Sequence, residues 1–335
     1  MRKSNRPINF RFLLVGFCLC SFTILFTACR KEQEGAAIEA ISLPPTNGNI
    51  YSILVSELGR LYFVGGDRLT RNDFFESDDL GQTWRLSHFD EVLYANKAIF
   101  CLTEHKGAVY GGSFDGKVFK QQPSLSDNWS LGLGHSWWYS FTGISFNAQD
   151  FGFAVGNSGF GSGLIVKFDA NLETLQIDSF PFALNDILML DAQEGYAVGY
   201  GALLQTLDGG NSWSQLSLTD DNYRALAVDN RGAVWTVGFN GTIAKITNQG
   251  RKIKKVKNGQ NPLGNTDRYL DIAFKDEVGY IVGEKGVVQF STDGGASWKK
   301  MKKFTHEDIN AVAFHPHLNI AYFGGSNNLA YKLLY

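Results

Sequence analysis

Proline is scarce in this 335-residue chain, with seven residues, and cysteine scarcer, with four. Cys18, Cys20 and Cys29 lie within or just after an apolar stretch near the start, which leaves Cys101 alone in the body of the chain. One thiol excludes an internal disulfide framework, and its setting in the apolar run Ala98–Leu102 suits a buried free cysteine. Helical i, i+3, i+4 periodicity is hard to find anywhere after residue 36, which argues against a bundle or a helical solenoid. Neither sign of charge dominates, with 31 Lys and Arg against 33 Asp and Glu. That balance gives no support to nucleic-acid binding. What the chain does hold is glycine, 37 residues of it, and many aromatics. Such a composition suits many short strands joined by tight turns around an ample core.

The first 28 residues read as a targeting segment. Arg2, Lys3, Arg6 and Arg11 form a basic lead, and the apolar run Phe12–Phe26 that follows is too short to span a bilayer comfortably. The run ends Leu25-Phe26-Thr27-Ala28-Cys29, which resembles the lipobox of bacterial lipoproteins, with Phe26 where that pattern usually has Leu. The resemblance implies lipidation of Cys29, a charged tether over residues 29–36, and an outer-membrane lipoprotein facing the periplasm or the cell surface. Loss of residues 1–28 removes four basic and no acidic side chains, leaving 27 against 33, a balance of −6.

From residue 37 the chain repeats itself. One recurring piece is a strand ending on glycine: Tyr62–Gly65, Val109–Gly111, Phe153–Gly156, Tyr196–Gly199, Trp235–Gly238, Tyr280–Gly283 and Tyr322–Gly324. The seven glycines lie 39 to 46 residues apart, the period of propeller blades. A short apolar strand precedes each copy. The other recurring piece is the turn [Ser/Thr]-x-Asp-x-Gly-x-[Ser/Thr]-Trp, with Asp79, Gly81 and Trp84, then Asp208, Gly210 and Trp213, then Asp293, Gly295 and Trp298. Its Asp and hydroxyls can accept backbone N–H bonds within the turn, its Gly supplies positive φ, and its Trp buries a large ring. These are structural residues. The last unit, Asp308–Tyr335, has three strands only, and the apolar segment Ala37–Leu43 has no blade of its own. The expectation is an all-β, seven-bladed propeller of four-stranded antiparallel blades over residues 37–335, its last blade closed by the N-terminal strand.

The stretches GYAVGYGALLQTLDGGNSWSQL and GYIVGEKGVVQFSTDGGASWKKM resemble the repeats of the photosystem II assembly factor family and its bacterial relatives, and the turn resembles the Asp-box (BNR repeat) found also in sialidases, xyloglucan-cleaving hydrolases and sortilin-type receptors. The likeness is strong in blades one, four and six. It is weak in blade two, where residues 124–129 scramble the turn, and blades three and five lack the Trp. The resemblance implies a seven-bladed propeller and leaves function open, because propellers host unrelated activities.

Three functions follow as expectations. The first is a non-catalytic, lipid-anchored scaffold or assembly factor binding another protein. The second is a glycan-binding surface protein. The third is a sialidase- or xyloglucanase-like hydrolase, which would need two carboxylates facing across a cleft. Loop-face carboxylates are plentiful (Asp67, Asp73, Asp115, Asp186, Asp220, Asp221, Asp267, Glu284, Glu307 and Asp308), and the sequence selects no pair among them. The candidate ligand-binding residues are His135, Trp137, Trp138 and Tyr139 on the loop joining blades two and three. Tyr223, Arg224, Arg268 and Tyr269, where later inner strands begin, complete the set as a ring suited to a carboxylate or acidic peptide. The aromatics could equally pack between blades, and each arginine could pair with a neighbouring Asp. No metal or cofactor is expected: His315-Pro316-His317 has no third ligand in view, and the Asp-Gly-Gly turns lack the ligand pattern of a calcium loop. Nine basic residues, in 251–257 and 299–303, fall on adjacent outer strands. They read either as a contact for anionic headgroups or an acidic partner, or as lysines that keep outer strands from pairing with other chains. A monomer is expected.

Overall fold

The structure is a computed structural model that describes residues 37–86, 97–122, 126–134, 139–259 and 267–335. Seven four-stranded sheets follow one another along the chain. Their inner strands are Asn49–Val55, Ile99–His105, Ser140–Phe146, Leu184–Met189, Tyr223–Val228, Tyr269–Lys275 and Ile309–Phe314. In the first six blades the next three strands pair outward in sequence order. The second strands explain the aromatic–Val–Gly signal. Gly195–Gly199 and Val234–Gly238, for example, are buried at every position, because each is covered on both faces by neighbouring blades.

The seventh blade closes the ring. Its order is Ala37–Ala40, Ala330–Leu334, Ile320–Gly325, Ile309–Phe314, so the N-terminal strand lies outermost. That strand is shorter than the apolar run Ala37–Leu43 suggests. Ile41 still donates to Ala330 O at 2.9 Å and buries its side chain. Pro44 and Pro45 follow, and with no N–H to donate they end the pairing. The two ends of the ring meet again elsewhere. Asn310 Nδ2 donates to Ile50 O at 2.9 Å, and His317 Nε2 lies 2.9 Å from Glu57 O.

The three Asp-x-Gly turns share one geometry. Asp208 Oδ1 accepts from the backbone of Asn211 (3.0 Å) and Ser212 (2.9 Å), its Oδ2 takes the Ser212 hydroxyl (2.6 Å), and Thr206 Oγ1 accepts from Gly210 N (2.9 Å). Asp79 and Asp293 repeat these bonds with Thr83 and Ser297. The glycine is required twice over. Gly210 has φ 78°, and a Cβ there would lie 2.2 Å from the ring of Phe153 in the preceding blade. At Gly295 a Cβ would lie 2.5 Å from the Trp235 ring, again one blade back. Each turn is therefore also the point where its blade docks on its neighbour.

Candidate functional site: the channel mouth

Every inner strand breaks register once, near its start. The residues at the seven breaks are Tyr51, Phe100, Thr142, Asn185, Arg224, Leu270 and Asn310. A bulge re-aims the side chain at the extra residue, and all seven line one cavity of about 990 Å³ on the axis. The cavity opens among the loops that join second to third strands, with Arg68, Phe114, Phe160, Tyr200, Phe239 and Glu284 at its rim. The Asp-x-Gly turns join third to fourth strands and so lie at the opposite end.

One step along two of these strands sit Asp186 and Asp271. Both touch the channel yet are enclosed by protein, and burial pushes each carboxyl up to about 7. Asp186 Oδ1 accepts from Ile187 N (2.8 Å) and its Oδ2 from Leu226 N in the next blade (2.7 Å). Asp271 does the same with Ile272 N (2.8 Å) and Val312 N (2.9 Å). These bonds favour the charged form but do not outweigh the desolvation. Arg224 is also enclosed, and burial pulls its guanidinium below the usual value, with the Arg68 charge adding to the effect. Cys101 is buried in the same wall, where burial pushes its thiol up.

The structure separates the candidate ring residues. Arg224 lines the channel. Arg268, although at the same end, is tied to Glu284 at 3.1 Å and lies over the Phe239 ring. Tyr223 and Tyr269 do not face the opening. They are fully buried, Tyr223 donating to Asp220 Oδ1 (2.7 Å) and Tyr269 bonded to Lys257 Nζ (2.5 Å). Each immediately precedes its bulge residue, so the side chain that reaches the channel belongs to the next position. Tyr139 packs against the core of blades two and three with its hydroxyl on Ser162. Cys29, His135, Trp137 and Trp138 lie outside the described residues.

The loop-face carboxylates are mostly occupied. Asp73 pairs with Arg71 (2.9 Å), Asp267 with Lys300 (2.8 Å) and Asp115 with Lys117. Asp221 accepts from the backbone of Asn222 and Asn240. Four of the nine rim cations turn to partners in the fold: Lys255 to Asp220, Lys257 to Tyr269, Lys300 to Asp267 and Lys303 to Lys285 O. Arg251, Lys252, Lys254, Lys299 and Lys302 are exposed. Among the described residues no group of three or more His, Cys, Asp or Glu could hold a metal. His315 instead accepts from His317 N and Leu318 N at 3.1 Å each, shaping a turn.

The sequence reading missed Tyr51, Phe100, Phe114, Arg68, Asn185, Asn310 and Asp271. A signal was present. Tyr51, Thr142, Asn185, Arg224 and Asn310 each stand fourteen positions before a strand-ending glycine and directly after a large apolar residue.

A closed ring of seven four-stranded blades around a mixed polar and aromatic channel defines a seven-bladed β-propeller. Similar solved structures are functionally diverse. A catalytically inactive virginiamycin B lyase from Staphylococcus aureus, in a structure with quinupristin, is 11% identical and aligns over 90% of this chain and 100% of its own, at TM-score 0.72. YCF48 from Cyanidioschyzon merolae is 15% identical over 88% of this chain and 98% of its own, at TM-score 0.66. YCF48 bound to D1 peptide is 17% identical over 89% and 97%, also at 0.66. Likeness at this identity extends to the fold alone. No known family description and no curated protein matches the chain.

Proposed function

We propose that this protein is a non-catalytic, lipid-anchored exported propeller that offers its channel-mouth face to another protein, as a scaffold or assembly factor does. The observation that carries this reading is an aromatic pair on that face. Phe160 and Tyr200, on the loops of blades three and four, are 69% and 51% exposed, with ring centroids 5.2 Å apart. Leu69, 63% exposed, stands on the corresponding loop of blade one. Large apolar side chains held out on rigid loops around a polar opening are what a protein interface uses as anchors. The occupied carboxylates support a binding role over hydrolysis, since both oxygens of Asp186 and of Asp271 already accept backbone N–H groups. A YCF48 structure that contains a bound peptide supports a propeller of this shape as a protein binder.

The anchor in this proposal is lipid on Cys29, which places the protein at the outer membrane. The test is affinity capture from intact cells with the wild type and with Phe160→Ser/Tyr200→Ser. Capture of a defined partner by the wild type and its loss in the double variant is expected. Equal capture by both removes the face from the proposal. In parallel, Cys29→Ala should move the protein from the membrane to the soluble fraction. Retention in the membrane would exclude the anchor.

A further inference from the structure

The ring of bulge residues is lopsided. Tyr51 and Phe100, on blades one and two, meet edge to face at 4.8 Å, and Phe114 extends the cluster at 5.9 Å from Phe100. In a seven-membered ring the position across the axis from the junction of blades one and two is blade five, and its bulge residue is Arg224. Asn185 of blade four stands beside Arg224 on one side and Leu270 of blade six on the other, while Asn310 of blade seven stands next to Tyr51. Below the ring, Ile53, Leu102, Ile144 and Val312 form an apolar floor.

Arg224 is under-used. Its Nε is buried and has no hydrogen-bond partner among the described residues, and one Nη reaches Asn185 Oδ1 at a long 3.4 Å. A buried guanidinium donor left unpaired carries a desolvation cost that an acceptor would relieve. Arg68, exposed at the rim of the same cavity, makes no ion pair among the described residues. The carboxylates nearby are occupied: Asp186 and Asp271 by two backbone N–H groups each, Glu284 by Arg268, and Asp308 by Lys285 N. Two guanidiniums that make no direct ion pair among the described residues, with Asp186 and Glu284 acting on Arg224 only at longer range, face one cavity from different blades and form a site for an anion.

We infer that the channel binds a small organic monocarboxylate with a flat apolar body, its carboxylate taken by Arg224 and its body lying against Phe100 and Tyr51. A carboxylate offers two oxygens to the Nε–H and Nη–H of one guanidinium in a fork. A phosphate dianion suits the site less. Glu284 at the rim and the carboxyls of Asp186 and Asp271 behind the ring disfavour a second negative charge on the ligand. The aromatic arc supplies the area that fixes the apolar end. The site lies inside the cavity whose rim carries Phe160 and Tyr200, but the inference does not rest on protein docking at that rim.

Calorimetric titration of the full chain with 3-phenylpropionate tests the inference, with 3-phenylpropanamide, phenethylamine and acetate as comparisons. The acid should bind saturably, and the neutral amide roughly tenfold more weakly or worse, since a charge-assisted pair is lost. Phenethylamine should not bind, and acetate, lacking the ring, should bind more weakly than the aryl acid. Arg224→Gln should abolish binding of the acid. Arg68→Gln, at an exposed position, should weaken it several-fold and flatten its salt dependence. In the wild type the acid should also raise the melting temperature, and in Arg224→Gln it should not. The inference is overturned if the amide or amine binds as well as the acid. Unchanged affinity in both arginine variants overturns it equally, as does a lack of saturable binding of the acid up to about 10 mM, weaker than any useful recognition.

Discussion

The backbone N–H of Leu226 donates a 2.7 Å hydrogen bond to Asp186 Oδ2, a carboxylate on the inner strand of the preceding blade. Val312 and Asp271 repeat the relationship at 2.9 Å between blades six and seven. Inner strands of neighbouring blades share no ladder, so these carboxylates rivet the wall of the channel.

Burial raises both carboxyls to about 7, well above their value in an unfolded chain. A raised acid contributes stability that is full below the unfolded value, near 4, and is lost as pH rises to about 7. His315 works against it. Burial lowers that imidazole, so its contribution is present at high pH and fades as pH falls below about 6.5. Asp186→Asn isolates the acid. The melting temperature of the wild type minus that of the variant should be larger at pH 5 than at pH 8. A difference that stays flat across this range contradicts the assignment.

Gly143 makes room for the same rivet. A Cβ there would lie 2.8 Å from both Cα and Oδ1 of Asp186 and 3.0 Å from Ile187 N. Gly143→Ala should cost about 1–3 kcal/mol, as overpacking against backbone does. Gly161→Ala, with nothing within 4 Å of the new Cβ, should be close to neutral. Urea denaturation of the two variants gives the comparison.

The three turn tryptophans are not equivalent. Trp84 Nε1 donates to Gly81 O at 3.1 Å, whereas the buried indole N–H groups of Trp213 and Trp298 have no partner among the described residues. Trp84→Phe should therefore cost about 1 kcal/mol more than Trp213→Phe, the net worth of one hydrogen bond. Equal losses in denaturant titrations would show that ring packing alone matters.

Ring closure depends on a strand of four residues and on Ile41, which is 8% exposed and packs in the core cluster with Leu61 and Phe63. Ile41→Ala should destabilise the whole domain by roughly 2 kcal/mol, at the low end for a buried aliphatic truncation. Removal of residues 37–43 should in addition expose the Ala330–Leu334 edge and promote self-association, visible by light scattering. A monomeric, fully stable truncation would show that the ring closes without this strand.

The sequence by itself determined what is local or periodic. Strands ending on glycine counted the blades, because a second strand pressed between two neighbours must be apolar throughout and its glycines admit the adjoining backbone. Gly199 shows the reason: a Cβ there would lie 1.8 Å from Ala183 O. The Asp-x-Gly turns were legible too, since their hydrogen bonds run between residues two to four apart. The lone strand Ala37–Leu43 and the three-stranded last unit pointed to closure by the N-terminus. The site was mostly hidden. Arg224 could be singled out, but the choice between it and Tyr223 depends on a one-residue bulge, and a shift of one position sends a side chain to the other face. Phe100 and Arg224 are 124 positions apart and face each other only because seven sheets close a circle. The pairing of Asp186 with Leu226 likewise belongs to two separate blades. Which side chains share the axis was decided by the ring, whose geometry lies in no single repeat.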